Sequence, residues 1–155
     1  MPNIIRKVIS GGQTGADITG LRVAYELGIE TGGTVPKDCG TEDGPNYDLV
    51  GLYGCIESEI PGYWDRTLAN VLDSTGTVLF GIMSGGTKLT KKMCQYHKKP
   101  FIANPTGSQL RNWLKKHHIL ILNVAGNSYS KNPDVVSLTR NTLTEALKPE
   151  QVKGA

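Results

Sequence analysis

Ile4-Ile5-Arg6-Lys7-Val8-Ile9-Ser10-Gly11-Gly12-Gln13-Thr14-Gly15-Ala16-Asp17 is the stretch whose reading decides the fold. The β-branched run Ile4–Ile9 has the composition of a buried parallel strand. It ends abruptly at Ser10-Gly11-Gly12. From Gly15 onward, Ile18, Leu21, Val23, Ala24 and Leu27 recur at helical spacing, and Gly28 is a good C-terminal stop. Strand, glycine turn and helix make the opening of a βα unit.

The pattern repeats outward from this unit. Thr31–Val35 reads as a second short strand, and Tyr63–Asp73 as a helix with Trp64, Leu68, Val71 and Leu72 on one side. Thr77–Ile82 is a strong strand that runs into a second glycine turn, Ser84-Gly85-Gly86-Thr87, with a helix over Lys88–His97. Pro100–Ala103 and Ile119–Val124 read as strands, Gly107–His117 and Asp134–Leu147 as helices, and 149–155 as a frayed tail. Between Pro36 and Gly62 the period dissolves into Gly, Pro, Asn and Asp, which is the mark of a functional or mobile loop. The alternation predicts an α/β fold, Rossmann-like and doubly wound, with a mostly parallel sheet and helices on both faces. No composition break divides residues 1–155, so one ligand-binding domain is expected.

The totals agree with a globular chain. It has 155 residues, 38% hydrophobic and 20% charged, with a net charge of +3. Nineteen glycines are roughly twice the ordinary share, and most sit where apolar runs end. Cys39, Cys55 and Cys94 lack metal-ligand spacing and read as free thiols in a reducing, cytoplasmic setting. MPNIIRKVIS is too poor in apolar residues for a signal peptide. No apolar stretch nears the roughly 20 residues of a membrane span. The basic runs Lys88–Lys99 and Lys115–His118 are solvated helix faces or an anion-attracting surface. Neither is interleaved with aromatics, which counts against nucleic acid.

Ligands of open α/β sheets bind at the carboxyl ends of the strands. Three strands here end in small residues: Ser10-Gly11-Gly12, Ser84-Gly85-Gly86 and Ala125-Gly126. Glycines leave backbone N–H groups bare, and the helix that follows adds its positive end, so each turn suits a phosphate. Thr14 and Thr87 add hydroxyls, and two facing turns would grip a phosphate or pyrophosphate from both sides. Replacing Gly12 with valine is then expected to block backbone approach to the ligand. Neither turn is GxGxxG or GxxxxGK[ST], which excludes a standard dinucleotide dehydrogenase and a P-loop NTPase. Asp17 is either a stabilising first-turn acid or a polar contact to ligand or loop. Arg66, Thr67 and Asn70 share a helix face, as a solvated stripe or as a holder of a phosphate or base edge. Lys37, after Pro36, has the reach to enter the same pocket. Glu42 and Asp43 read as loop solvation. No G-x-S-x-G elbow is present, and His97, His117 and His118 sit at helix ends in capping positions. No metal ligands are assigned.

The assembled segments resemble the molybdenum-cofactor carrier family, within the LOG/SLOG-like Rossmann group that includes the cytokinin-activating phosphoribohydrolases. The matching pieces span about residues 4–147: Ile9–Asp17, Gly32–Lys37, Glu42–Pro45, Tyr63–Val71, Ser84–Thr90 and Leu122–Gly126. The resemblance implies a Rossmann-like homo-oligomer, a dimer or tetramer, that binds a phosphate-bearing pterin or nucleotide without chemistry. Molybdenum cofactor and nucleotide derivatives are the candidate ligands. The implied site is Gly11, Gly12, Gln13, Thr14, Arg66, Asn70, Gly85, Gly86 and Thr87, to which the turn chemistry adds Gly15, Asp17, Lys37 and Ser84. The phosphoribohydrolase branch has a P-G-G-x-G-T-x-x-E signature whose Glu acts in N-glycosidic cleavage. Ser84–Lys91 carries no carboxylate at that place.

Holding, carrying or sequestering a small phosphorylated ligand is therefore the expected function. A molybdenum-cofactor carrier is one version, and a sponge or sensor for a signal such as a cyclic ADP-ribose derivative is another. The alternative is a nucleotide hydrolase using Asp38, Glu42, Asp43 or Asp48 from the 37–62 loop. A structural subunit with a vestigial pocket is a third reading.

Overall fold

The structure, a computed structural model, describes residues 5–149, so the expected tail lies outside it beyond Pro149. The opening stretch forms β1 (Lys7–Ile9) and α1 (Ala16–Glu26). Next come β2 (Glu30–Gly32), β3 (Thr34–Val35), a 3-10 turn at Lys37–Cys39, β4 (Gly40–Thr41), β5 (Gly44–Pro45), α2 (Asp48–Gly51) and β6 (Ile56–Glu57). The second half runs α3 (Trp64–Asp73), β7 (Gly76–Phe80), α4 (Gly85–Tyr96), β8 (Phe101–Ala103), α5 (Gly107–Lys116), β9 (Ile121–Gly126) and α6 (Val135–Leu147).

Five strands make one sheet in the order β2-β1-β9-β7-β8, and every pairing is parallel. Alternation along β9 separates the two faces. Leu122 and Val124 pack with Ala16, Val23, Leu114 and Leu143 from α1, α5 and α6. Asn123, between them, points the other way, where α3 and α4 pack on each other around Val71, Met93 and Cys94. The sheet is thus covered on both faces, as a Rossmann-like α/β fold requires. Chain order reverses across its middle: β1 steps outward to β2, β7 steps outward to β8, and β9 returns between them. The carboxyl ends of β1, β9 and β7 consequently sit side by side at a switch point.

Two expectations need correction. The strand over 31–35 is broken at Gly33, whose φ of 122° ends β2 and sends β3 to a separate parallel ladder with β6. The 36–62 segment is not patternless: its two- to four-residue elements are too short to show a period. Cys39, Leu49, Tyr53 and Cys55 from it form a second core with Ile18, Leu21 and Val35. Element ends also move. Gly81, at φ 99°, ends β7 early, and α4 starts at Gly85 rather than Lys88. Among the described residues no helix is long and apolar enough to cross a membrane.

Gly126 closes β9 where a side chain cannot fit. A Cβ there would stand 2.4 Å from the Phe80 carbonyl oxygen and 2.7 Å from the Ala16 Cβ. Gly126→Ala is expected to destabilise by about 1–3 kcal/mol through overpacking. That corresponds to roughly 2–4 °C of melting temperature per kcal/mol at this size. Circular dichroism melting checks it, and an unchanged midpoint would contradict the packing described.

Candidate functional site

A cavity of about 240 Å³ opens at the switch point, on the α3/α4 face. Its floor is Asn123, Ala125 and Gly126 of β9, and one wall is Gly11, Gln13 and Asp17. Tyr63, Arg66, Thr67 and Asn70 come from α3 and its start, Gly86, Thr87 and Thr90 from α4, and Asn127, Ser128 and Lys131 from the segment after β9.

Arg66 is the centre of one side. Its Nη1 donates to the Gly11 carbonyl at 3.0 Å and to Asp17 Oδ2 at 3.4 Å. Its Cζ lies 5.8 Å from the Tyr63 ring centroid, within cation–π range. Gly11 makes this possible, because a Cβ there would stand 1.7 Å from Nη1. Arg66 Nε is buried without a hydrogen-bond partner. Asp17 is buried, and its Oδ2 also accepts from the Gln13 amide at 3.3 Å. Burial pushes the Asp17 carboxyl up to about 6 against the pull of Arg66 and the Gln13 amide. The single long contact to Arg66 does not offset the loss of water.

The other side is the first turn of α4. Ser84 is its N-cap but supplies no side-chain cap, so the amides of Gly85, Gly86 and Thr87 are left to water or a ligand. Lys131 reaches the start of this turn: a Cβ built on Gly85 would meet Lys131 Nζ at 2.9 Å. Asn127 fixes the turn from below. It holds Ile82 by both backbone groups, accepting from the amide at 2.6 Å and donating to the carbonyl at 2.9 Å, and donates to Thr87 Oγ1 at 3.2 Å. Asn123 Nδ2 donates to Thr77 Oγ1 at 3.2 Å.

The two glycine turns are unlike. The first is closed on itself: Gly12 N donates to Ser10 Oγ, Gln13 N to Asp17, Thr14 N to Gln13 Oε1, and Ala16 N to the Asn127 carbonyl. It contributes a carbonyl for Arg66 rather than a nest of bare amides. Gly11, Gln13, Asp17, Arg66, Asn70, Gly86 and Thr87 line the cavity; Gly12, Thr14, Gly15, Lys37, Ser84 and Gly85 do not. Gly12 faces Leu49 and Val35, each 2.8 Å from a would-be Cβ, so a valine there would strain the core rather than block a ligand. Gly15 lets the Asn127 carbonyl close on α1, and Lys37 is exposed on its 3-10 turn. Asn70 spends both polar atoms on Thr34, accepting from its amide at 2.8 Å and donating to its carbonyl at 2.9 Å.

Glu42 is exposed, as expected of a loop acid, but it is not free. It accepts from Thr14 Oγ1 and from the amide and hydroxyl of Ser130. Those bonds hold its carboxyl below the ordinary range, the Ser130 hydroxyl most and Thr14 next. Asp43 lines a separate cavity with Arg22 and Asn46. His97 and His117 are the C-caps of α4 and α5. Sequence reasoning missed Tyr63, Thr90, Asn123, Asn127 and Lys131. Tyr63, Thr90 and Asn123 carried a signal, since they lie in the matching pieces Tyr63–Val71, Ser84–Thr90 and Leu122–Gly126; Asn127 and Lys131 did not.

Fold and pocket together define a Rossmann-like α/β protein with a strand-end ligand crevice. The chain belongs to the Circularly permutated YpsA SLOG family, whose profile matches residues 8–147. It is similar to a crystal structure from Syntrophus aciditrophicus SB described as a "putative molybdenum carrier protein". The two are 35% identical, the match covers 95% of this chain and 98% of that one, and the TM-score is 0.84. Comparison with curated proteins finds no match.

The Asp17 shift gives a pH test. Between the ordinary value of 3.8 and about 6, the folded chain holds more protons than the unfolded one. The contribution of Asp17 to stability therefore falls as pH rises across that window and levels off above it. A carbon-13 NMR titration should place the Asp17 carboxyl near 6, and Arg66→Met should move it higher by removing the opposing charge. A midpoint below 3.8 would contradict this arrangement.

Proposed function

We propose that this protein is a non-catalytic holder of a small phosphate-bearing ligand, nucleotide-like or pterin. The observation that carries the reading is the uncapped first turn of α4 with Lys131 across it and Arg66 in the facing wall. Bare amides at a helix N-terminus with two cations nearby suit a phosphate or pyrophosphate. The enclosed volume of about 240 Å³ lies below the roughly 300–1,000 Å³ of sites that enclose a drug-sized ligand. The phosphate and its neighbouring sugar or pterin edge would sit inside, with the ring at the mouth beside Tyr63.

The description of the Syntrophus neighbour supports the carrier version, in which molybdenum cofactor is the cargo. A sponge or sensor for a nucleotide signal uses the same contacts. The hydrolase reading is disfavoured because none of Asp38, Glu42, Asp43 and Asp48 lines the cavity, and Glu42 is taken up by Thr14 and Ser130. A homo-oligomer, dimer or tetramer, is supported by the exposed Tyr47, Ile56, Ile60 and Trp64. A reducing, cytoplasmic setting suits three buried free thiols.

Thermal shift with inorganic pyrophosphate and ADP-ribose tests the reading. A ligand at a hundred times its Kd adds about 2.7 kcal/mol, which is several degrees here. Ligand recovered unchanged after heat denaturation is the expected result. No shift with either compound, or release of a free base, would overturn it. Sedimentation should give a mass two or four times that of the chain, and a monomer would remove the oligomer from the proposal.

A further inference from the structure

We propose that Glu42 is a positioning residue for the phosphate end of the pocket: it clasps the segment Ser128–Lys131 to the start of α1 and so holds Lys131 across the first turn of α4. The inference rests on the phosphate-holding reading above. Glu42 does not line the pocket. It sits between β4 and β5, on the hairpin outside the pocket.

The contacts run through one carboxylate. Oε1 accepts from the Ser130 amide at 2.9 Å and from the Thr14 hydroxyl, and Oε2 accepts from the Ser130 hydroxyl. The Glu42 amide donates to Gln13 Oε1 at 2.9 Å, which fixes the hairpin to the same turn. Thr14 Oγ1, held by Glu42, in turn accepts from the Tyr129 amide at 3.1 Å.

The clasped segment needs such a tether. Its ends are fixed, because the Asn127 carbonyl accepts from Ala16, Asn132 N donates to the Ser128 carbonyl, and Asn132 Nδ2 donates to Asn127 Oδ1. Tyr129, Ser130 and Lys131 between them are exposed. Glu42 and Thr14 hold that tip, and Lys131 is the next residue after Ser130. Hydrogen bonds to an ionised carboxylate are about twice as strong as neutral ones, which suits a clasp made in water. A lysine whose backbone is released loses its aim, because its own side chain is long and freely rotating.

The sign of the effect separates a clasp from plain electrostatics. Removing an acid beside an anion site should strengthen anion binding. Releasing the clasp should weaken it. Asp43, one residue on, supplies the control: it carries the same charge and makes no contact with Ser130.

The experiment is calorimetric titration of the full chain with inorganic pyrophosphate. Lys131→Ala should weaken binding roughly 10-fold or more, the scale of one charge-assisted contact. Glu42→Gln should weaken it in the same direction by about 3-fold or more, with Asp43→Asn at or slightly tighter than wild type. In the Lys131→Ala background, Glu42→Gln should add nothing, since the two act through one contact. Glu42→Gln binding as tightly as wild type, or weakening both backgrounds equally, overturns the proposal. Amide hydrogen exchange gives a readout without ligand: Glu42→Gln and Glu42→Ala should speed exchange at Tyr129 and Ser130, and unchanged exchange there overturns the clasp. Failure of Lys131→Ala to alter binding, or no binding by wild type, overturns the pocket reading instead, and exchange then decides the clasp.

Discussion

Arg66 against Asp17 is the contact on which the rest of the site depends. It ties α3, on one face of the sheet, to the start of α1, which packs on the other. The guanidinium lies against the Gly11 carbonyl, so the turn after β1 must carry glycine for steric reasons before any ligand is considered. The arginine keeps a buried carboxylate from standing alone, and removing one member of such a pair costs about 3–5 kcal/mol. The pair is a poor ion pair by geometry, with one contact at 3.4 Å, and Asp17 correspondingly keeps a high affinity for its proton.

Charge in the pocket is consequently uneven. One wall holds a guanidinium paired with Asp17, and the opposite wall holds the Lys131 ammonium beside Gly85 at the uncapped start of α4. The floor is amide-rich, with Asn123 and Asn127 already committed to Thr77, Ile82 and Thr87. Those bonds fix the floor before anything arrives, and preorganisation of this kind lowers the cost of binding.

Much of the fold was legible in the sequence, because α1, α4, α5 and α6 are long enough to show a helical period, and the apolar runs of β1 and β7 each end at a glycine turn. Gly33 hid a strand break inside a stretch read as one strand, and the 36–62 segment hid a core under elements of two to four residues. The candidate site was half legible. Glycine turns mark where a backbone is bare, yet the first turn spends its amides on Ser10, Asp17 and Gln13. Whether a neighbour fills a turn depends on contacts far apart in the chain. Asn127 and Lys131 escaped notice for a related reason: only the return of β9 between β1 and β7 brings them to the other strand ends.

Asn70 illustrates what a single side chain can replace. Its amide meets both backbone groups of Thr34, in the pairing that one strand residue offers another. At that point, past the end of β2, the chain has left the main sheet, and β3 has only β6 on one flank. The helix side chain serves as a one-residue edge strand, sealing a backbone that would otherwise be open to a foreign chain. Because it reads backbone alone, position 34 is free to change its side chain, while position 70 must keep a donor and an acceptor on one planar group.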